Sequence, residues 1–144
     1  VPRDSLPSLA RQYLRYGFYR ARTFRAHPVS MRASHLIAPA LALFAAGSIA
    51  GPRRLRAPAR AGFGAYLAAV AASATSTKAD ARDRAMLLAV LPTMHLGWGF
   101  GTLAGMVRFG PPIAAIGRVL GISAPPRPSD DAAVHAPSLH EHRA

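Results

Sequence analysis

Hydrophobic and polar positions change their rhythm along this chain, and each change marks an element. From Leu6 to about Ala26 the rhythm is helical and two-sided. At about 100° per residue, Leu6, Leu9, Ala10, Tyr13, Gly17, Ala21 and Phe24 fall on one face. Arg11, Arg15, Arg22 and, at the margin, Arg25 fall on the other, with only Arg20 out of register. Asp4 or Ser5 can cap this helix, and Pro7 in its first turn gives up an N–H that has no partner there. His27-Pro28 ends it. A basic amphipathic helix with aromatic residues is expected to lie in a membrane interface, so residues 1–33 read as an interfacial helix and its linker.

Three uncharged apolar runs follow, over residues 34–51, 61–77 and 85–107. Each is close to the roughly 17–25 residues that a bilayer demands of a helix. The second is mostly Ala, Gly and Ser, which makes it marginal alone and dependent on packing against its neighbours. Residues 51–60 read as a basic turn and 78–84 as a short polar loop, in which Asp80 and Asp83 pair with Lys78, Arg82 and Arg84. After Arg108, the string Phe109-Gly110-Pro111-Pro112 breaks the third run. Ile113 to Ile122 reads as a short surface helix, and residues 123–144, rich in Pro, Ala, Asp and His, as a disordered tail. The expected class is an all-α membrane protein: an amphipathic interfacial helix, about three short transmembrane helices within 34–108, and a short helix and tail over 109–144.

Composition sharpens this picture. The 144 residues are 51% hydrophobic yet carry a formal net charge of +12. A soluble domain this basic points to nucleic acid. Here the arginines and the apolar runs alternate along the chain, a pattern that puts Arg at headgroups and points to a lipid bilayer, not nucleic acid, as partner. With no Cys, disulfides and thiolate metal sites are excluded. The N-terminal segment and the second loop carry Arg3, Arg11, Arg15, Arg20, Arg22, Arg25, Arg32, Lys78, Arg82 and Arg84, against Arg53, Arg54, Arg56, Arg60, Arg108 and Arg118 on the other side. That excess predicts a multi-pass protein with a cytoplasmic N-terminus. The bias to Arg, Ala and Pro suggests a bacterial genome rich in G and C. A first residue of Val1 suggests the C-terminal part of a longer chain.

Candidate chemistry is concentrated in the first helix. Gln12, Arg15, Tyr16 and Tyr19 stand at i, i+3, i+4 and i+7, one stripe on the flank of the apolar face. An Arg fork beside an amide and aromatic rings suits phosphate, through paired hydrogen bonds, and sugar, through stacking. In the third run Gly97, Gly101 and Gly105 repeat every four residues, a small-residue ridge that lets helices approach closely in lipid. Ala68, Ala72 and Ser76 share that spacing and make the second run its expected partner. His95, near the middle of the third run, is the one ionisable group at that depth. It is expected to bond Ser73, Thr75 or a carbonyl freed by Pro92. Neither Asp130-Asp131 nor His135, His140 and His142 is assigned a metal, and no catalytic residue is assigned anywhere.

Gln12-x-x-Arg15-Tyr16 resembles the Q-x-x-R-W motif of membrane-bound family 2 glycosyltransferases, with Tyr in place of Trp. Gln-Tyr-x-Arg-Tyr-Gly, then Arg-Ala-Arg and His-Pro, then weak spans and His95-Leu96-Gly97-Trp98-Gly99-Phe100-Gly101, is similar to the C-terminal region of the ExoA-like, succinoglycan-type branch. The resemblance covers roughly residues 1–108. It implies a membrane-anchoring and acceptor-positioning region for exopolysaccharide synthesis, in which Gln12, Arg15, Tyr16 and Tyr19 contact an acceptor or a nucleotide diphosphate. It further implies a preceding catalytic domain, absent from this chain, that binds a nucleotide sugar and a divalent metal (Mg or Mn) and transfers hexose to a lipid-linked or polysaccharide acceptor. The rival readings are a small basic membrane scaffold or assembly protein without enzymatic activity and, second, a soluble nucleic-acid binder.

Overall fold

A computed structural model describes residues 5–122, and every regular element among them is a helix. The first, α1 (Leu6–Ala26), has the bounds that its rhythm predicts, and its buried residues Gly17, Ala21 and Phe24 all belong to the predicted apolar face. Two 3-10 turns, Pro28–Ser30 and Ala33–Leu36, lead into α2 (Ile37–Ala50). Then come α3 (Arg53–Ser76), α4 (Ala81–Phe109) and the short α5 (Ile113–Val119). The tail assigned above to residues 123–144 lies outside the described residues.

Apart from a 3-10 turn over the first residues of the first run and an α5 that ends at Val119 instead of Ile122, two boundaries differ from the sequence reading. The basic stretch after Gly51 is not a turn: α3 begins at Arg53 and carries those arginines in its first two turns. Arg and Ala are among the best helix formers, so Gly51 and Pro52 suffice to break the chain, and α3 runs on through Pro58, which has no N–H to offer the Arg54 carbonyl and crowds it with its ring. The arginines acquire a structural task there. Arg56 Nε donates to the Gly51 carbonyl at 2.7 Å and Arg60 Nε to that of Ser48 at 3.2 Å, satisfying acceptors at the end of α2. Likewise the second loop is shorter than 78–84, because α4 already begins at Ala81. Asp80 caps that helix, its carboxylate accepting the Asp83 N–H at 2.8 Å, instead of serving the neighbouring basic side chains. At the far end Gly110, at φ +85, stops α4 in a backbone region that favours glycine.

Helices α2 and α3 form an antiparallel hairpin, with Phe44 over Gly62 and Gly47 facing Ala59. Helices α3 and α4 are also antiparallel: Tyr66 meets His95, and Arg84 Nη2 reaches the Thr77 carbonyl at 3.3 Å. The closest seam joins α1 to α4, and these two run parallel. Leu6 and Leu9 share a groove with Ala85 and Val90, Leu14 lies at Gly101, Phe18 and Ala21 lie at Gly105, and Arg25 donates to the Phe109 carbonyl. The expected surface helix is therefore sewn lengthwise to the third apolar run, not set apart from it. At its C-terminal end a small core of Phe24, Met31 and Ala115, joined by Leu36, Trp98, Ile116 and Val119, ties α1, α4 and α5 together.

Two stretches, Ala33–Ala50 and Ala81–Phe109, are long and apolar enough to cross a membrane; α3 is not one of them. Only 22% of the first and 17% of the second is buried inside the protein, whereas the core helix of a water-soluble domain is mostly buried.

Candidate functional site

Gln12, Arg15, Tyr16 and Tyr19 lie together on an open flank of α1. Gln12 Nε2 donates to the Tyr16 hydroxyl at 2.8 Å, one helical turn away, so the amide and the phenol are held as a pair. Tyr13 meets Tyr16 edge to face at 6.0 Å, and Phe18 meets Tyr19 at 5.4 Å and 87°. Tyr16 and Tyr19 stay 51% and 54% exposed, so their rings are free to take a ligand.

Two shallow basins adjoin this stripe, with Arg15 and Tyr16 as their common wall. One, of about 450 Å³, is lined by Ser8, Arg11, Gln12, Arg15 and Tyr16. The other, of about 530 Å³, is lined by Arg15, Tyr16, Tyr19, Arg20, Thr23, His35 and Trp98. Neither lining contains a carboxylate, and Arg is present in both. The first basin offers guanidinium, amide and hydroxyl groups, the donor set that suits an oxyanion. The second adds aromatic faces.

What brings Trp98 to this flank is the glycine ridge behind it. A Cβ at Gly101 would collide with the Leu14 carbonyl, one at Gly105 with that of Phe18, and one at Gly97 would stand 3.1 Å from that of Ala10. Gly17 answers from α1, where a Cβ would strike the Trp98 carbonyl. Gly97, Gly101 and Gly105 thus face α1 and not the second run. Ala68, Ala72 and Ser76 are exposed. The ridge lets the α1 backbone in at Ala10, Leu14 and Phe18, and Gly17 of α1 admits the Trp98 carbonyl in return, whereas Ala68, Ala72 and Ser76 offer no glycine of their own.

His95 is bonded differently from the sequence reading too. Its Nδ1 lies 2.9 Å from the Tyr66 hydroxyl, with the rings edge to face at 5.8 Å. Ser73 and Thr75 donate within their own helix instead. Ser73 Oγ donates to the Ala69 carbonyl at 2.8 Å, and Thr75 Oγ1 is shared between those of Ala71 and Ala72.

Sequence reasoning missed Arg20, Thr23, His35 and Trp98 as members of one groove. Arg20, the residue out of register, holds its guanidinium 5.1 Å above the Phe24 ring. His35 stacks between Phe24 and Trp98, at 5.0 and 6.0 Å, and its Nδ1 accepts the Arg32 N–H at 3.0 Å. The available signal was Arg20 itself, a charge on the border of an apolar face. No group of three or more His, Asp or Glu that could hold a metal exists among the described residues. Their carboxylates are Asp80 and Asp83, of which Asp80 caps α4, so they do not fit the divalent ion that the resemblance implies for a catalytic domain.

No family model, no curated protein and no solved structure matches the chain.

Proposed function

We propose that this chain is the C-terminal membrane region of a family 2 glycosyltransferase of the ExoA-like, exopolysaccharide type. In this reading α1 positions a lipid-linked or polysaccharide acceptor beneath a catalytic domain not contained in these residues. One observation supports it most. The two strings that carry the resemblance lie about 80 residues apart in sequence yet pack directly together, Gly97 and Gly101 against Ala10, Tyr13 and Leu14, and Gly17 against Trp98. The Gln12–Arg15–Tyr16–Tyr19 stripe is left open on the flank of that seam. Arg15 then binds phosphate oxygens through its fork, Gln12 and Tyr16 fix the orientation, and Tyr19 supports a sugar face.

The membrane part of the proposal rests on the low internal burial of the two apolar stretches and on exposed Ile37, Leu43, Phe44 and Ile49 of α2. We place the chain in a bacterial inner membrane with a cytoplasmic N-terminus. The spans are Ala33–Ala50, made of the second 3-10 turn and α2, and α4, with α3 as a weaker span held by them. The catalytic domain supplies the nucleotide sugar and its divalent metal.

Membranes from cells making the whole protein, given a panel of radiolabelled nucleotide sugars, are expected to label a lipid or polysaccharide fraction. Arg15→Ala should lower that labelling tenfold or more, about 1.4 kcal/mol of lost transition-state binding, without changing the amount of protein in the membrane. Labelling unchanged by Arg15→Ala would remove Arg15 from the site. The coding sequence upstream of Val1 is expected to continue in frame to an acidic nucleotide-sugar motif. A start codon there, with no such domain, would favour the scaffold reading instead.

A further inference from the structure

The groove beyond the Arg15–Tyr16 wall has a chemistry of its own. Trp98 packs on one side against the core that contains Phe24 and Met31, and also lines the groove. An indole seated in that way keeps a fixed face, and losing little freedom on binding is what makes an aromatic platform effective. His35 Nδ1 accepts a backbone N–H, so the neutral imidazole carries its proton on Nε2 as a free donor. Arg20 is braced over the Phe24 ring and Arg15 closes the other end. The groove therefore combines two cationic forks, an imidazole donor, hydroxyls from Tyr19 and Thr23, and indole and phenol faces, with no carboxylate in its lining.

We infer that the groove formed by Arg15, Tyr19, Arg20, His35 and Trp98 binds a phosphate-linked sugar, the ring on Trp98 and the phosphate at Arg20. This rests on the reading of α1 as the acceptor side of a glycosyltransferase and adds His35, from outside the strings that carry the resemblance, and a binding role for Arg20 and Trp98, to which the resemblance assigned none. Inorganic phosphate lacks the ring, and a neutral sugar lacks the charge. Each alone uses half of the groove and binds more weakly than the two joined. A glycerophospholipid headgroup offers phosphate without a sugar ring and does not use Trp98.

Trp98 is the single Trp of the chain, so within a tryptophan-free scaffold its emission reports on this groove alone. The purified chain, in phosphatidylcholine nanodiscs, is titrated with glucose 1-phosphate, with glucose and with inorganic phosphate. Glucose 1-phosphate should change Trp98 emission saturably, at a concentration at least tenfold below that of either fragment. Arg20→Gln should raise its half-saturation tenfold or more, and Arg20→Lys, which keeps the charge, less. Far-UV circular dichroism checks that each variant keeps its helices. A third variant, His35→Phe, keeps the stack and removes the donor, and should weaken binding several-fold. No saturable change with the native chain overturns the inference. So does a change that all three variants leave unaltered, or the same change produced by phosphatidylglycerol nanodiscs without added sugar phosphate. Because the titration reads binding without transfer, its failure leaves the labelling experiment on Arg15 standing, and failed labelling leaves this binding standing.

Discussion

At the scale of single residues, the glycines divide into those that hold the seam and those that do not. Gly101 faces the Leu14 backbone so closely that even a methyl group must push α1 away. Gly64 of α3 has nothing within 4 Å of where its Cβ would be. Thermal unfolding in detergent should therefore separate them. Gly101→Ala is expected to lose about 1–3 kcal/mol through overpacking, while Gly64→Ala, in an open helix interior, should gain up to about 1 kcal/mol. Equal effects at the two positions would mean that the seam does not form. The ridge itself is legible in the spacing of Gly97, Gly101 and Gly105, but its partner is not. Spacing describes one surface, and which surface meets it depends on how closely the other backbone can come. The same limit hid Trp98 and His35, whose place beside Arg20 follows from the seam and from a 3-10 turn, neither of which has a periodic signature.

At the scale of elements, the excess of basic side chains finds its partners in backbone. The chain has 18 Lys and Arg against 6 Asp and Glu. Its arginines accordingly reach carbonyls at helix ends and turns: Arg25 at Phe109, Arg56 at Gly51, Arg60 at Ser48, Arg84 at Thr77. Arg118 does most, donating to Val29 at 2.8 Å, to Met31 at 2.9 Å and to Pro28 at 3.4 Å, so that α5 clasps the elbow after α1. Arg118→Ala should cost about 1–2 kcal/mol, a partly exposed charged donor lying at the lower end of such bonds. Faster amide hydrogen exchange should follow at Ile116 and Leu120, whose N–H groups donate to the Pro112 and Ile116 carbonyls at the two ends of α5. Unchanged exchange there would show that the clasp contributes nothing. This use of arginine also explains why α1 was legible to its last residue and the start of α3 was not. In α1 the arginines sit opposite an apolar face and sharpen the pattern. In Arg53-Arg54-Leu55-Arg56 they stand beside Pro52 and Pro58, and a sequence reader gives prolines and clustered charge to a turn although Arg favours helix.

At the scale of the whole molecule, apolar surface lies outside as well as inside. Ile49 is 80% exposed and Val107 89%, and Met86, Leu88 and Phe100 of α4 are open as well. Exposed apolar side chains in this number suit a lipid or protein cover. The absence of Cys allows single-site labelling without a background. A fluorophore on Ile49→Cys or Val107→Cys in nanodiscs should be quenched by acyl-chain quenchers, and one on Arg11→Cys by aqueous iodide. Iodide reaching all three sites equally would exclude the membrane placement.

The parallel seam between α1 and α4 sets a rule for any such placement. A rod lying flat and a rod standing upright touch over only a turn or two, yet these two stay together from Leu6 to Arg25, close to 30 Å at about 1.5 Å per residue. They must lean together, as one beam with its guanidinium edge kept wet. A load placed on that edge, by a docked domain or a bound glycan, is then delivered to α4 as a change of inclination and not as a slide along its axis.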